Sequence, residues 1–417
     1  MKLFILAALV AGIATGTIAH GQTSTPEPSS TPVQIAATIS ERRERAFASM
    51  LEGERFAWVS QRTRSQTIMV SNATLAKAAF LRAISFDPTL AEAYTAIAEL
   101  SLAVPPGDVA VGLDFAARAA KIDKNNFGAR RILARLNTLK SGLGGDQFDV
   151  LAGNTAIAQW KEVTRLDPRN AEGWAFLAAF YDQTKMRDER IDALKKWLAS
   201  AQPVEIGFYG NIMGRGESLM PEAASIKLGG ALVDAGKMNE AVEVLSLVVA
   251  DAPDDALAII LLGQALTTAD AKSSTVAIQS LQQASYANAN NLVLSILLAK
   301  AQARAGKIED AVLGLGRKAK VTAATDVVGA ASLQVAAGDI FADAGMTQDA
   351  VQAFEKAFET RGIDKTALIA ADEREFAILV FGKIIQTYKQ AKRPADINAT
   401  IERARRLLGQ KNLFADR

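Results

Sequence analysis

The chain has 417 residues, 49% of them apolar and 6% aromatic, with 47 Lys and Arg against 45 Asp and Glu. That balance leaves no basic excess to neutralise a phosphate backbone, which excludes a nucleic-acid partner held by charge. Cysteine is absent, which excludes disulfides, thiolate catalysis and cysteine metal sites, and His20 is the single histidine.

The first element is a targeting segment. Lys2 is followed by an uncharged apolar run from Leu3 to Ala19, and small residues stand at Ala19 and Gly21. This is the pattern of a secretory signal peptide over residues 1–21, and the run is short for a spanning helix. An uncleaved N-terminal anchor is the alternative. Cleavage after Gly21 would remove His20 and leave a mature chain with neither Cys nor His. No later stretch is long and apolar enough to span a membrane. Residues 22–36 begin QTSTPEPSSTPV, a Ser/Thr/Pro-rich linker with nothing to bury, expected to be disordered.

Self-similarity dominates from residue 37 onward. AGKMNEA at Ala235, AGKIEDA at Ala305 and AGMTQDA at Ala344 share one loop phrase, in which a glycine ends one helical pattern and a later alanine opens the next. Gly236 and Gly306 lie 70 residues apart, two units of about 35. A second phrase marks the other turn: ISFDPTLAEAY ending at Tyr94, TRLDPRNAEGW ending at Trp174, and a weaker VVADAPDDALAI ending at Ile259. The residue before proline resists helix, so each unit reads as helix, short turn, helix, proline-type turn.

These residues resemble the tetratricopeptide repeat, a helix-turn-helix with Trp-x-x-Leu-Gly-x-x-Tyr, then Ala-x-x-x-Phe, then Pro. Trp174, Leu177, Ala178 and Tyr181 match its first half. Leu228, Gly229 and Leu232 match again, followed by Ala241, Leu245 and Pro253. Leu262, Gly263 and Leu266 continue the series with Ala277, Leu281 and Ala284. Ala350, Phe354 and Ala357 fit a later second helix, and Ala76, Phe80, Ala83 and Pro88 fit the first. Small residues at Gly229, Gly263, Ala241 and Ala277 are expected to let helices approach closely, with large residues filling the gaps.

The resemblance covers most of Arg45 to Leu408 and implies an all-α right-handed superhelix of about eight or nine antiparallel helix pairs. The N-terminal repeats are expected over 37–203 and the C-terminal repeats, with capping helices, over 222–417. The Gly-rich stretch 204–221 between them is expected to be a mobile connector and the weak joint of the stack, with a binding loop as the alternative. The first unit has a long spacer, QRTRSQTIMVSN, between its helices.

Catalytic signatures fail on inspection. Gly230 to Lys237 has the wrong glycine spacing for a phosphate loop, and Met238 replaces the residue needed for magnesium. The GFYGNIMGRGES stretch follows no strand. Ser218 lacks a nucleophile elbow, and without histidine no Ser-His-Asp triad can form. Carboxylate pairs such as Asp254–Asp255 and Glu309–Asp310 fall at helix starts, where they complement the helix dipole. The arginine clusters near Arg42 and Arg403 read as solvated faces. No catalytic residue, metal site or cofactor is expected.

By resemblance, the first helix of each pair lines a concave groove. Matching each unit to that of Trp174 places Arg131 and Arg135 on this face as a basic spot, with Ile226, Ile260, Ile296 and Val335 as an apolar ribbon; burial of those aliphatics between helices is the competing expectation. The implied function is a non-catalytic protein-interaction scaffold outside the cytoplasm, of exported bacterial type, periplasmic or secreted, binding a protein or peptide segment. Peripheral association with the envelope stays open. A ligand- or glycan-binding accessory subunit of an envelope, secretion or polysaccharide-export complex is the alternative. Aromatic residues on the groove would favour a glycan; aliphatic and charged residues would favour a peptide.

Overall fold

The computed structural model describes residues 31–104, 107–201, 207–214, 216–363, 367–410 and 414, with side chains from Thr38 onward. Its α-helices are α1 (Thr31–Arg62), α2 (Gln66–Phe86), α3 (Ala91–Ala103), α4 (Val109–Ile122), α5 (Phe127–Ser141), α6 (Val150–Leu166), α7 (Ala171–Gln183), α8 (Arg187–Leu198), α9 (Gly207–Met213), α10 (Pro221–Asp234), α11 (Met238–Asp251), α12 (Ala256–Ala265), α13 (Ala271–Ala287), α14 (Leu292–Arg304), α15 (Ile308–Thr322), α16 (Val327–Asp343), α17 (Thr347–Thr360), α18 (Arg374–Gln390) and α19 (Pro394–Leu408). A 3-10 turn at Ala371–Glu373 precedes α18, and the described residues contain no strand. Apart from α9, the helices follow one another as first and second helices of successive units, the all-α repeat expected from the sequence. No helix among the described residues is long and apolar enough to cross a membrane. The expected signal segment, 1–21, lies outside the described residues.

The chain divides into two compact units, Met1–Ala96 and Ile97–Arg417, with α3 running through the division. In the first unit α1 and α2 pack along their length. A Cβ on Gly53 would sit 2.4 Å from the Phe80 ring, so glycine there admits the aromatic side chain. Ala46, Ala83, Leu90 and Ala93 form its buried cluster. Two expectations are corrected here. α1 already begins at Thr31, inside the expected 22–36 linker, because Pro32 suits a first helical turn. The long spacer shrinks to Thr63–Ser65, because the Ser65 hydroxyl accepts from the Ile68 N–H and caps α2 early.

The second unit is a solenoid whose helices pack on near neighbours in the chain. Within units, α5 packs on α6, α7 on α8, α10 on α11, α14 on α15, α16 on α17 and α18 on α19. Across units, the first helices α10, α12, α14, α16 and α18 lie side by side in that order. Two kinds of turn punctuate the stack. Asn126, Asn170, Asp255, Asn291 and Asp326 each accept a backbone N–H from the first turn of a first helix. Between first and second helices the chain turns left-handed at Gly236, Gly306 and Gly345, where the next residue's N–H reaches back to Leu232, Gln302 and Phe341. Lys185 and Lys392 hold the same left-handed place in their units and close the same bond.

Small-against-large packing holds at Gly229, where a Cβ would lie 2.3 Å from Leu245 Cδ2. Gly263 departs from the expected close approach. Its nearest neighbour is Leu297 of α14 at 3.4 Å, an ordinary contact, because α13 makes its close packing with α11 and α14.

The Gly-rich stretch carries the largest revision. In place of a mobile connector, 207–213 forms α9, and Tyr209 is 2% exposed in the main core. Its ring meets Phe176 and Trp197 edge-on, with centroids 5.2 and 5.7 Å apart. Trp197 Nε1 donates to the Leu219 carbonyl at 3.0 Å, and Trp160 stacks on Phe176 at 4.8 Å. Burial, with the charge of Glu217 adding to it, holds the Tyr209 phenol protonated well above its usual range. The segment is packed against α7 and α8 by Tyr209 and against α5 by Phe208, while α8 and α10 pack on each other directly.

Candidate binding face

The candidate site is built from the adjoining first helices of the second unit. Side chains at equivalent places recur along it because successive units repeat the helix-turn-helix. Arg131 and Arg135 stand one turn apart on α5, as expected, but they do not form an open basic spot. Arg131 Nε donates to Glu172 Oε2 and Arg135 Nε to Glu172 Oε1, each at 2.7 Å. Glu172 lies in the first turn of α7 and is 4% exposed. The Arg135 guanidinium also sits over the Phe208 ring at 4.9 Å from its centroid. The cluster therefore joins α5, α7 and α9. Sequence reasoning missed Glu172; its place at the start of the next first helix, beside an i,i+4 arginine pair, was the available signal.

The expected apolar ribbon is interrupted. Ile260 is 57% exposed, and Ile226 and Ile296 are half-buried. Val335 is buried at 7% in the core around Phe354 and Phe358, because small residues on α16, Ala331 and Gly338 among them, let α17 approach closely. Val335 therefore leaves the ribbon. On α18 the place that matches Val335, ten residues before the left-handed Lys392, is Gly382, so the ribbon does not resume there, although Leu379 earlier in that helix is exposed.

Beside this broken ribbon lies a cavity of about 320 Å³. Leu266 and Thr267 at the end of α12 line it, with Lys300, Ala303 and Arg304 of α14, Ile308 of α15, and Asp339, Ile340, Asp343 and Ala344 on and after α16. No aromatic side chain lines it. Arg304 donates to the Thr267 carbonyl, which ties α14 to the end of α12. Lys383 Nζ of α18 donates to both Asp339 carboxylate oxygens at 2.6 and 2.7 Å. The cavity thus has a cationic wall on α14 and an anionic wall on α16, with aliphatic surface between. Such a surface can hold a ligand by charge and apolar contact. No group of three or more metal-ligating side chains occurs among the described residues.

No family model matches the chain, and no curated protein matches it. Solved structures give loose similarities. YrrB, described as a TPR protein with an unusual peptide-binding site, is 16% identical over 52% of this chain and 96% of its own, with a TM-score of 0.34. MamA protein is 15% identical over 48% and 90%, with a TM-score of 0.33. TTC0263, a thermophilic TPR protein of Thermus thermophilus, is 17% identical over 53% and 99%, with a TM-score of 0.28. At these values the fold of this chain rests on its own helix packing.

Proposed function

We propose that this protein is a non-catalytic interaction scaffold of tetratricopeptide type that captures a peptide segment of a partner protein on the face formed by α12, α14, α16 and α18. The observation that carries this reading is the lining of the cavity: charged and aliphatic side chains without an aromatic platform, with Ile260 and Leu379 exposed on first helices of the same run. That chemistry suits an extended or helical peptide. At this cavity it disfavours the glycan-binding alternative, which needs exposed rings to stack on sugars. The signal-like residues 1–21 support a place outside the cytoplasm, periplasmic or secreted, and fractionation should find a chain shortened by about 20 residues there.

The test is selection of a displayed random-peptide library on the purified chain. The wild type should enrich peptides, and Ile260→Asp should abolish enrichment while circular dichroism stays helical. Leu313→Asp, an exposed position on the second helix α15, is the control and should enrich as the wild type does. Equal enrichment by Ile260→Asp and wild type would reject this face.

A further inference from the structure

Two of the four charges around the α14–α16 cavity serve contacts within the fold, and two do not. Lys300 and Arg304 are four residues apart on α14, and Asp339 and Asp343 are four apart on α16, so each pair shares one helix face. One member of each pair is tethered: Arg304 to the Thr267 carbonyl, Asp339 to Lys383. The other members are not. Among the described residues, the Lys300 and Asp343 side chains make neither a hydrogen bond nor an ion pair, although both line the same cavity. Asp343 is moreover the last residue of α16, where the helix dipole opposes a negative charge. A carboxylate placed against the dipole, without a compensating cation, breaks a local rule that folding alone would favour keeping.

We infer that Lys300 and Asp343 are the two ends of a charge-reading subsite, which takes a peptide carrying one acidic and one basic side chain about three residues apart. The spacing follows from the architecture. Neighbouring packed helices have axes about 8–10 Å apart. An extended peptide advances about 3.3 Å per residue, so about three residues separate side chains that meet α14 and α16. The acidic side chain faces Lys300 beside Arg304. The basic one faces Asp343 and offsets the unfavourable end of α16. This deepens the peptide-scaffold reading and rests on it.

The probe is an array of 12-residue peptides with apolar flanks, incubated with the full chain at low salt. One set carries Glu and Lys three residues apart in both orders, a second carries two Glu, a third two Lys. The wild type should retain the mixed set about fivefold better than either like-charge set, the effect of one partly exposed ion pair of about 1 kcal/mol. The preference should fade as salt rises. Lys300→Glu should move the preference to the two-Lys set, and Asp343→Lys to the two-Glu set. Both positions lie at the surface of their helices, and circular dichroism of each variant should match the wild type. Retention of peptides without charge preference, or with a preference neither variant moves, overturns the inference while leaving the scaffold reading intact. Retention of no peptide at all overturns both.

Discussion

Gly338 of α16 and Phe354 of α17 are so close that a Cβ on the glycine would lie 2.4 Å from the ring Cε1, and the Phe354 ring is fully buried. Gly338→Ala should therefore destabilise the chain by about 1–3 kcal/mol, the usual cost of overpacking a close-packed core. Gly263 is the internal control, since a Cβ there meets only Leu297 at 3.4 Å. Gly263→Ala should stabilise by about 0.5–1 kcal/mol through helix propensity. Urea unfolding of both variants checks the pair of signs.

Lys392 ends α18 in a left-handed conformation, φ 56°, at the place where Gly236, Gly306 and Gly345 stand in their units. A side chain there is strained by roughly 1 kcal/mol. Lys392→Gly should raise stability by up to about 1 kcal/mol, less the loss of chain entropy that glycine brings. Thermal unfolding should show a small rise in Tm, and a fall would mean that the lysine makes a compensating contact.

Glu172 receives both Arg131 and Arg135. Glu172→Gln keeps the shape but leaves two half-buried guanidinium groups facing a neutral amide. The expected loss is about 1–3 kcal/mol. Arg131→Gln alone leaves the Arg135 pair and should cost less. If both cost the same, the arginines act as one unit rather than as parallel partners.

Asp270 caps α13 and is held below its ordinary value of 3.8, chiefly by the Ser273 backbone N–H. It also accepts from Asn239 Nδ2 at 2.8 Å. Because the folded value is the lower one, its stabilisation is present above the unfolded value and is lost as pH falls through the folded value. Asp270→Asn can still cap but does not titrate there. The stability gap between wild type and variant should therefore narrow as pH drops below 3.8. A gap that is constant with pH would show that the carboxylate charge contributes nothing.

The sequence by itself determined what depends on local chain chemistry. Asp-Pro turns, Asn and Asp caps on most first helices, and left-handed glycines after several of them punctuate the chain, so the all-helical repeat and the phase of units such as Trp174's were legible. The same repetition placed Arg131, Arg135 and Ile260 on the first-helix face. Tertiary structure decided everything that depends on distance between units. Tyr209 sits in a glycine-rich stretch with no periodicity long enough to mark a buried helix, yet the aromatic side chains Phe176 of α7 and Trp197 of α8 take it into the core. Val335 and Ile260 occupy equivalent places, but small residues on α16 let α17 close over one while the other stays exposed. Glu172 becomes the partner of two arginines, and Lys300 and Asp343 come to line one cavity, only because successive first helices lie side by side. Local propensity acts over a few residues, whereas burial and charge pairing depend on which helices pack together.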